Sequence, residues 1–217
     1  MRGVSNAAPL TAIMPIKSWA AGKSRLHADP ETRRMLAQAI SQDTFDAVAA
    51  CPLVGRILVV TGDEHVAAYV LGARVTVVDE PGPSEDGLAA AIDAGVAWCA
   101  SNAAGKPLVV IPADLPALTP QVLAETLTQA FAHPFAFVPD ASGLGTTLLV
   151  ATEPALLLHH YGEGSAQRHI DAGAFPLPHA DPRARRDVDT LGELREAMDL
   201  GAGSRTREAL AGCFSTP

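Results

Sequence analysis

Short apolar runs rich in β-branched residues recur along this chain, and segments with helical spacing separate them. Residues 10–16, 56–61 (RILVVT), 75–78 (VTVV), 108–111 (LVVI), 135–138 (FAFV) and 146–152 (TTLLVAT) are the runs. Several stop at once on Gly62-Asp63, Asp79 or Pro112. Continuous apolar runs this short suit strands buried on both faces of a parallel or mixed sheet. Between them, residues 30–50 open on Pro30 and Glu31 and place Met35, Leu36, Ala39, Ile40, Phe45 and Val48 at helical spacing. Residues 63–71, 86–101 and 119–132 follow as further helices, the last with Thr119 as a capping residue before Pro120. The alternation predicts one α/β layered domain with a core over residues 10–200 and a loosely held tail over 201–217.

In such a sheet, ligands gather beyond the carboxyl ends of the strands. The loops after Ile16, Val78 and Ile111 therefore share one rim. The first of them belongs to the stretch PIKSWAAGKSRL (residues 15–26), which contains GKS, the tail of a phosphate-binding P-loop. A P-loop needs a glycine five residues before the Gly of GKS, where the chain curls to aim its N–H groups at phosphate. Lys17 stands there, without glycine's backbone freedom, so the P-loop is rejected. Lys17, Lys23 and Arg25 remain on one short loop after a strand. Such a loop suits a polyanionic ligand, or is simply a solvated basic loop.

The net charge of -8 argues against a general nucleic-acid or anionic-membrane surface. Anion binding then needs a local patch or a metal. Cys51, Cys99 and Cys213 are scattered without metal-ligand spacing and read as reduced thiols of a cytoplasmic protein. The first residues lack a signal-peptide core, and no apolar run is long enough to span a bilayer. The adjacent His159 and His160 have no acidic or Cys partner in sequence, and a surface or helix-end role is expected.

Acidic residues appear where a rim site needs them. Asp114, in IPADLPAL, follows a buried strand and is braced by Pro112 and Pro116. It is either a fixed carboxylate at the rim, of the kind Mg²⁺ takes, or a turn cap. In RDVDT, Asp187 and Asp189 fall on one face of an extended segment, where two carboxylates repel unless a cation joins them. Asp189 or Thr190 could also cap a helix over 191–200. GLGTT (143–147) is a glycine turn feeding a strand, with hydroxyls able to donate to an anion. YGEGSA (161–166) puts glycines and Ser165 before a helix, as a small-anion site or an ordinary Ser cap.

In this order, PIKSWAAGKSRL, PADLPAL, GLGTTLL, YGEGSAQRHIDAG and DVDT resemble the guanylyltransferases of coenzyme F420 biosynthesis, which activate phosphoenolpyruvate or 2-phospholactate with GTP. The resemblance spans residues 10–200. It implies a nucleotidyltransferase fold of the glycosyltransferase-A type, a three-layer α/β/α sandwich with a mainly parallel mixed sheet. It implies Mg²⁺ held by Asp114, Asp187 and Asp189. Lys17, Lys23 and Arg25 would lie along the GTP phosphates, and backbone groups around Leu88 would bind the base. Thr147, Gly162 and Ser165 would bind the phosphorylated three-carbon acid. His169, one helical turn after Ser165, sits where the family often has His, in a packing or a catalytic role. Ala89 stands where the family commonly has Asn, so base choice is open.

The implied reaction joins the acid's phosphate to the α-phosphorus of GTP, releases pyrophosphate and needs no general base. The unstable product would pass to the next transferase of the pathway. The Ala- and Arg-rich, Lys-poor usage, as in a high-GC bacterium, favours phosphoenolpyruvate over 2-phospholactate and 3-phosphoglycerate. The rival readings are a molybdenum-cofactor or sugar-phosphate nucleotidyltransferase of the same fold and a non-catalytic nucleotide-binding regulator. Arg183, Arg185 and Arg186 either neutralise a phosphate beside Asp187 or form a solvated loop, and the oligomeric state is open.

Overall fold

The computed structural model describes residues 10–20, 22–26, 29–82 and 87–213. Its strands are β1 (Leu10–Pro15), β2 (Val54–Thr61), β3 (Val75–Asp79), β4 (Leu108–Val110), β5 (Phe135–Pro139), β6 (Thr146–Ala151) and β7 (Phe175–Pro176). They form one sheet in the order β3-β2-β1-β4-β6-β5-β7. The neighbours β3, β2, β1 and β4 run parallel, β6 is antiparallel to β4 and β5, and β7 is parallel to β5. Each predicted strand forms, with its ends moved by a residue or two. The two-residue β7 is added to them; it is too short, and too proline-marked, to be legible in the chain.

The helices are α1 (Pro30–Ala50), α2 (Glu64–Tyr69), α3 (Gly87–Asn102), α4 (Pro120–Ala130), α5 (Ser165–Asp171), α6 (Pro182–Arg185), α7 (Leu191–Asp199) and α8 (Ser204–Cys213). Side chains alternate across the sheet. Met14, Val59, Val109, Val138 and Leu148 pack on one face with Phe45 and Val48 of α1 and Leu123 and Leu127 of α4. Ile13, Leu58, Val110, Phe137 and Leu149 pack on the other with Ile92 and Cys99 of α3. The result is the expected α/β/α sandwich. Each fully buried large aliphatic or aromatic side chain contributes roughly 1.5–3 kcal/mol to it. The Thr119 hydroxyl accepts the Val122 N–H and starts α4 as its sequence predicts. Among the described residues, no helix is long and apolar enough to cross a membrane.

The expected loosely held tail is instead, over Ser204–Cys213, a helix docked on α1. Buried Asp43 of α1 accepts the N–H groups of Arg205 (3.3 Å) and Thr206 (2.8 Å) at its start. The partner that satisfies this helix end lies some 160 residues earlier in the chain, so local pattern could not show it. A third apolar cluster joins Leu26, Leu36, Ile40, Val188, Leu194 and Ala197, with Leu210 against it. It binds α1, the loop after β1, the segment before α7 and α8 into one support for the rim.

Candidate active site at the carboxyl ends of β1 and β4

The parallel register of β1 with β4 brings their following loops together: Ile13 pairs with Val110, and the Ile111 N–H donates to the Ile13 carbonyl (2.9 Å). The Asp114 loop is then pinned from three sides. The Leu115 N–H donates to Thr44 Oγ1 in α1 (3.0 Å). The Val188 N–H donates to the Asp114 carbonyl (3.0 Å), and the Gly203 N–H to that of Pro116 (2.8 Å). The bond to Val188 places the segment of Asp187 and Asp189 alongside Asp114. Val188 between them is fully buried. Thr190 takes the capping role at α7, in a capping box with Glu193, which leaves the Asp189 carboxylate for other partners.

Lys23 joins these two segments to the loop after β1. Its Nζ is 2.9 Å from Asp114 Oδ2 and 3.0 Å from Asp189 Oδ1. Arg25 approaches Asp189 at 3.8 Å and is otherwise exposed. Lys23 carries a left-handed backbone (φ 54°), a conformation that costs free energy for a non-glycine residue. Burial works against its charge, but the two carboxylates outweigh burial and hold its pKa above the ordinary lysine value. Lys17 is exposed on the same loop. A cavity of about 400 Å³ lies here, lined by Lys17, Lys23, Trp19, Leu88, Asp114 and Asp189 among others. Of the predicted base-binding segment, Leu88 faces this cavity, and residues 83–86 lie outside the described residues.

Asp187 is the least compensated carboxylate. Burial, then the charges of Asp114, Asp140 and Asp189, push its pKa up to about 7. Among the described residues, no three His, Cys, Asp or Glu side chains already stand in metal-ligating geometry. Asp114 and Asp189 hold the Lys23 ammonium between them instead. The donor set is all carboxylate oxygen, drawn from two pinned loops, with an excess of negative charge. That chemistry fits a hard divalent cation.

The second group of predicted residues lies around α5. Thr147 and Thr146 face opposite sides of β6. The Thr147 hydroxyl donates to the Ala184 carbonyl (2.7 Å) and is buried, so this hydroxyl is spent within the protein. The half-buried Thr146 hydroxyl lies 3.2 Å from Ser165 Oγ and 2.8 Å from His169 Nδ1. The turn before β6 needs Gly145, where a Cβ would come within 2.6 Å of the Asp140 carboxylate. Gly162, at φ 115°, bends the chain into the start of α5. Sequence reasoning missed Tyr161. Its hydroxyl is buried without a hydrogen-bond partner among the described residues, its ring meets His169 edge-on at 5.5 Å, and burial, then Asp114, raises its pKa. A phenol at the head of the quoted YGEGSA was the available signal.

The flanking basic side chains are not a free cationic patch. Arg183 pairs with Asp181 (2.7 Å) and Arg186 with Glu196 (2.7 Å). Arg185 donates to the carbonyls of Pro139, Pro178 and Asp140. His159, expected at a surface, pairs with Asp93 (2.8 Å).

Comparison with known proteins agrees with this architecture. The MobA-like NTP transferase domain matches residues 20–178. A phosphoenolpyruvate guanylyltransferase of Streptomyces coelicolor is 43% identical over 206 residues, covering 93% of this chain and 95% of that one. Among solved structures, a protein of Desulfovibrio desulfuricans G20 assigned to the nucleotide-diphospho-sugar transferases superposes with a TM-score of 0.70 at 17% identity, covering 94% of each chain. The Rv0371c protein of Mycobacterium tuberculosis H37Rv, in complex with manganese, gives 0.52 at 16% identity, over 89% of this chain and 99% of that one. The chain belongs to the MobA-like NTP transferase family and, within it, groups with the phosphoenolpyruvate guanylyltransferases.

Proposed function

We propose that the protein joins GTP to phosphoenolpyruvate, giving a guanosine-diphospho three-carbon acid and pyrophosphate, in coenzyme F420 biosynthesis. The observation that carries this reading is the convergence of Lys23, Asp114 and Asp189 beyond β1 and β4. It stands in a chain that matches a guanylyltransferase over nearly its whole length. A phosphate oxygen of the acceptor attacks the α-phosphorus of GTP. The new P–O bond forms as the bond to the β-phosphate oxygen breaks, and that electron pair leaves on pyrophosphate. The attacking oxygen is already ionised at neutral pH, so no side chain has to remove a proton. The chain's task is to align two anions and to offset their charge.

Asp114, Asp187 and Asp189 would hold Mg²⁺, which supplies charge neutralisation and a template for nucleotide and acceptor oxygens. Lys17, Lys23 and Arg25 line the nucleotide end and offset charge on the leaving pyrophosphate. Leu88 and its neighbours border the base. Thr147 (through its backbone), Gly162 and Ser165 receive the acceptor, and 2-phospholactate is the alternative acid. GTP and phosphoenolpyruvate are cytoplasmic metabolites, and the labile product calls for a downstream transferase to consume it.

The test is pyrophosphate release by the purified protein with Mg²⁺, crossing four nucleoside triphosphates with phosphoenolpyruvate, 2-phospholactate and 3-phosphoglycerate. Turnover with GTP and phosphoenolpyruvate is expected. Nucleotide binding without turnover in any pairing points to a non-catalytic regulator. An active pairing with another base shows that Ala89 has altered base choice.

A further inference from the structure

His169 is fully buried, and both of its ring nitrogens are engaged. The His160 N–H donates to Nε2 at 2.9 Å, so Nε2 carries no proton. The neutral ring then has its proton on Nδ1, which donates to Thr146 Oγ1 at 2.8 Å. Burial, then the charges of His160, His159 and Arg168, lower the His169 pKa to about 4, and the ring stays neutral at physiological pH.

Proton counting follows from that tautomer. Ser165 Oγ donates to the same Thr146 oxygen (3.2 Å), so two donors use its two lone pairs. The Thr146 O–H proton is left to point elsewhere. If the Thr146–Ser165 bond runs the other way, the Ser165 proton is the one left over. In the opposite tautomer, Nδ1 would take the Thr146 proton, Ser165 would donate to Thr146, and none would remain. A second unspent donor stands beside the group: the buried Tyr161 O–H, which has no partner among the described residues and whose ring packs on His169.

We infer that His169 is a positioning residue: by presenting Nδ1–H to Thr146 it leaves one hydroxyl proton of the Thr146–Ser165 pair free to donate to an anionic oxygen of the acceptor acid. The inference rests on the reading that the acceptor binds at this end of the site. Arg168 donates to the carbonyls of His160 and Tyr161, so the segment that fixes the tautomer is itself held from α5.

Two substitutions separate this role from packing. Asn at position 169 can keep a donor where Nδ1 stands and lacks the Nε2 acceptor. Gln can reach the Nε2 position and lacks the donor. With GTP and phosphoenolpyruvate at neutral pH, H169Q should raise KM for phosphoenolpyruvate about tenfold, the worth of one hydrogen bond. Its kcat and KM for GTP should stay within about twofold, and H169N should keep KM for phosphoenolpyruvate within about threefold. Equal rises in the two variants, or an equal rise in KM for GTP, overturn the inference.

NMR of the ¹⁵N-histidine-labelled wild type decides it whether or not the variants fold. A proton on Nδ1, with its resonance shifted by added phosphoenolpyruvate, is the expected result. A proton on Nε2, or no response to phosphoenolpyruvate, overturns the inference. A shift in a protein that releases no pyrophosphate would sink the proposed reaction and leave the positioning role standing.

Discussion

Thr44 does not face the cavity, yet its replacement by Val should weaken both the fold and the reaction. Its side chain is fully buried in α1, where Oγ1 accepts the Leu115 N–H (3.0 Å) and donates to the Ile40 carbonyl (2.9 Å). Val has nearly the same shape, so T44V removes the hydroxyl and leaves no cavity. The Ile40 carbonyl lies within the helix ladder and tolerates the loss. The Leu115 N–H does not, because Leu115 is fully buried and no water reaches it. An orphaned buried N–H costs about 1–3 kcal/mol. For a chain of this size that is a fall in Tm of roughly 2–12 °C. Leu115 follows Asp114, so the same loss loosens the carboxylate, and kcat should fall by about tenfold. T44S keeps the hydroxyl and gives up one methyl, at about 1 kcal/mol. It should keep kcat near the wild-type value. Urea unfolding and steady-state pyrophosphate release measure the two effects. T44V within about 0.5 kcal/mol of wild type would refute the hydrogen-bond accounting. T44V with lowered stability and full kcat would refute the link from α1 to Asp114.

Asp114→Asn should lower kcat/KM at least about a hundredfold while stability changes by about 1 kcal/mol or less, since Lys23 keeps Asp189; turnover at the parent rate would remove Asp114 from the metal assignment. Tyr161→Phe deletes a hydroxyl that has no partner among the described residues. Chemical unfolding should show stability unchanged or raised by up to about 1 kcal/mol, whereas a loss above that means the hydroxyl has a partner. For His169, the pKa falls from 6.5 to about 4 on folding, so the unfolded chain takes up the proton first. Its contribution is therefore complete above pH 6.5 and is lost as pH falls toward 4, by roughly 3 kcal/mol. The raised pKa of Asp187 acts in the opposite sense over part of this window, so the quantity to measure is the stability difference between wild type and H169N. A difference that does not shrink between pH 7 and pH 4.5 counts against a buried neutral His169.

The strands were legible because each is a run of Val, Ile, Leu or Phe too short for a helix. The rim followed from them, since parallel strands send their following loops to one edge, and Asp114 lies there as its loop position suggested; that Asp187 and Asp189 stand beside it was implied by the family resemblance and not by the strand pattern. What the sequence did not carry is pairing across long separations. Lys23 finds Asp114 and Asp189 at separations of 91 and 166 residues. Thr44 finds Leu115, and Asp43 finds α8, in the same way. Adjacent Thr146 and Thr147 show a different limit. Strand alternation says that they face opposite sides, but only the packing of Ala184 against Thr147 decides which hydroxyl is spent and which is left for the site.

The two ends of the site differ in the kind of donor they offer, and the direction of charge flow in the proposed reaction accounts for it. Negative charge accumulates on pyrophosphate as the bond to the β-phosphate breaks. In the proposed reaction Lys17, Lys23 and Arg25 at the nucleotide end would therefore interact more strongly with the transition state than with the ground state, which is the condition for acceleration. At the acceptor end the attacking oxygen loses negative charge. A side-chain cation fixed on the attacking oxygen, beyond the metal shared with the nucleotide, would hold the ground state more tightly than the transition state. The arginines that flank this end are all engaged within the protein: Arg168 with backbone carbonyls, Arg183 with Asp181, Arg185 with backbone carbonyls and Arg186 with Glu196. Beside the proposed Mg²⁺, the side chains left for the acceptor would be neutral: the hydroxyls of Thr146 and Ser165 next to a histidine that does not protonate at physiological pH. Neutral donors can orient an anion without trapping it.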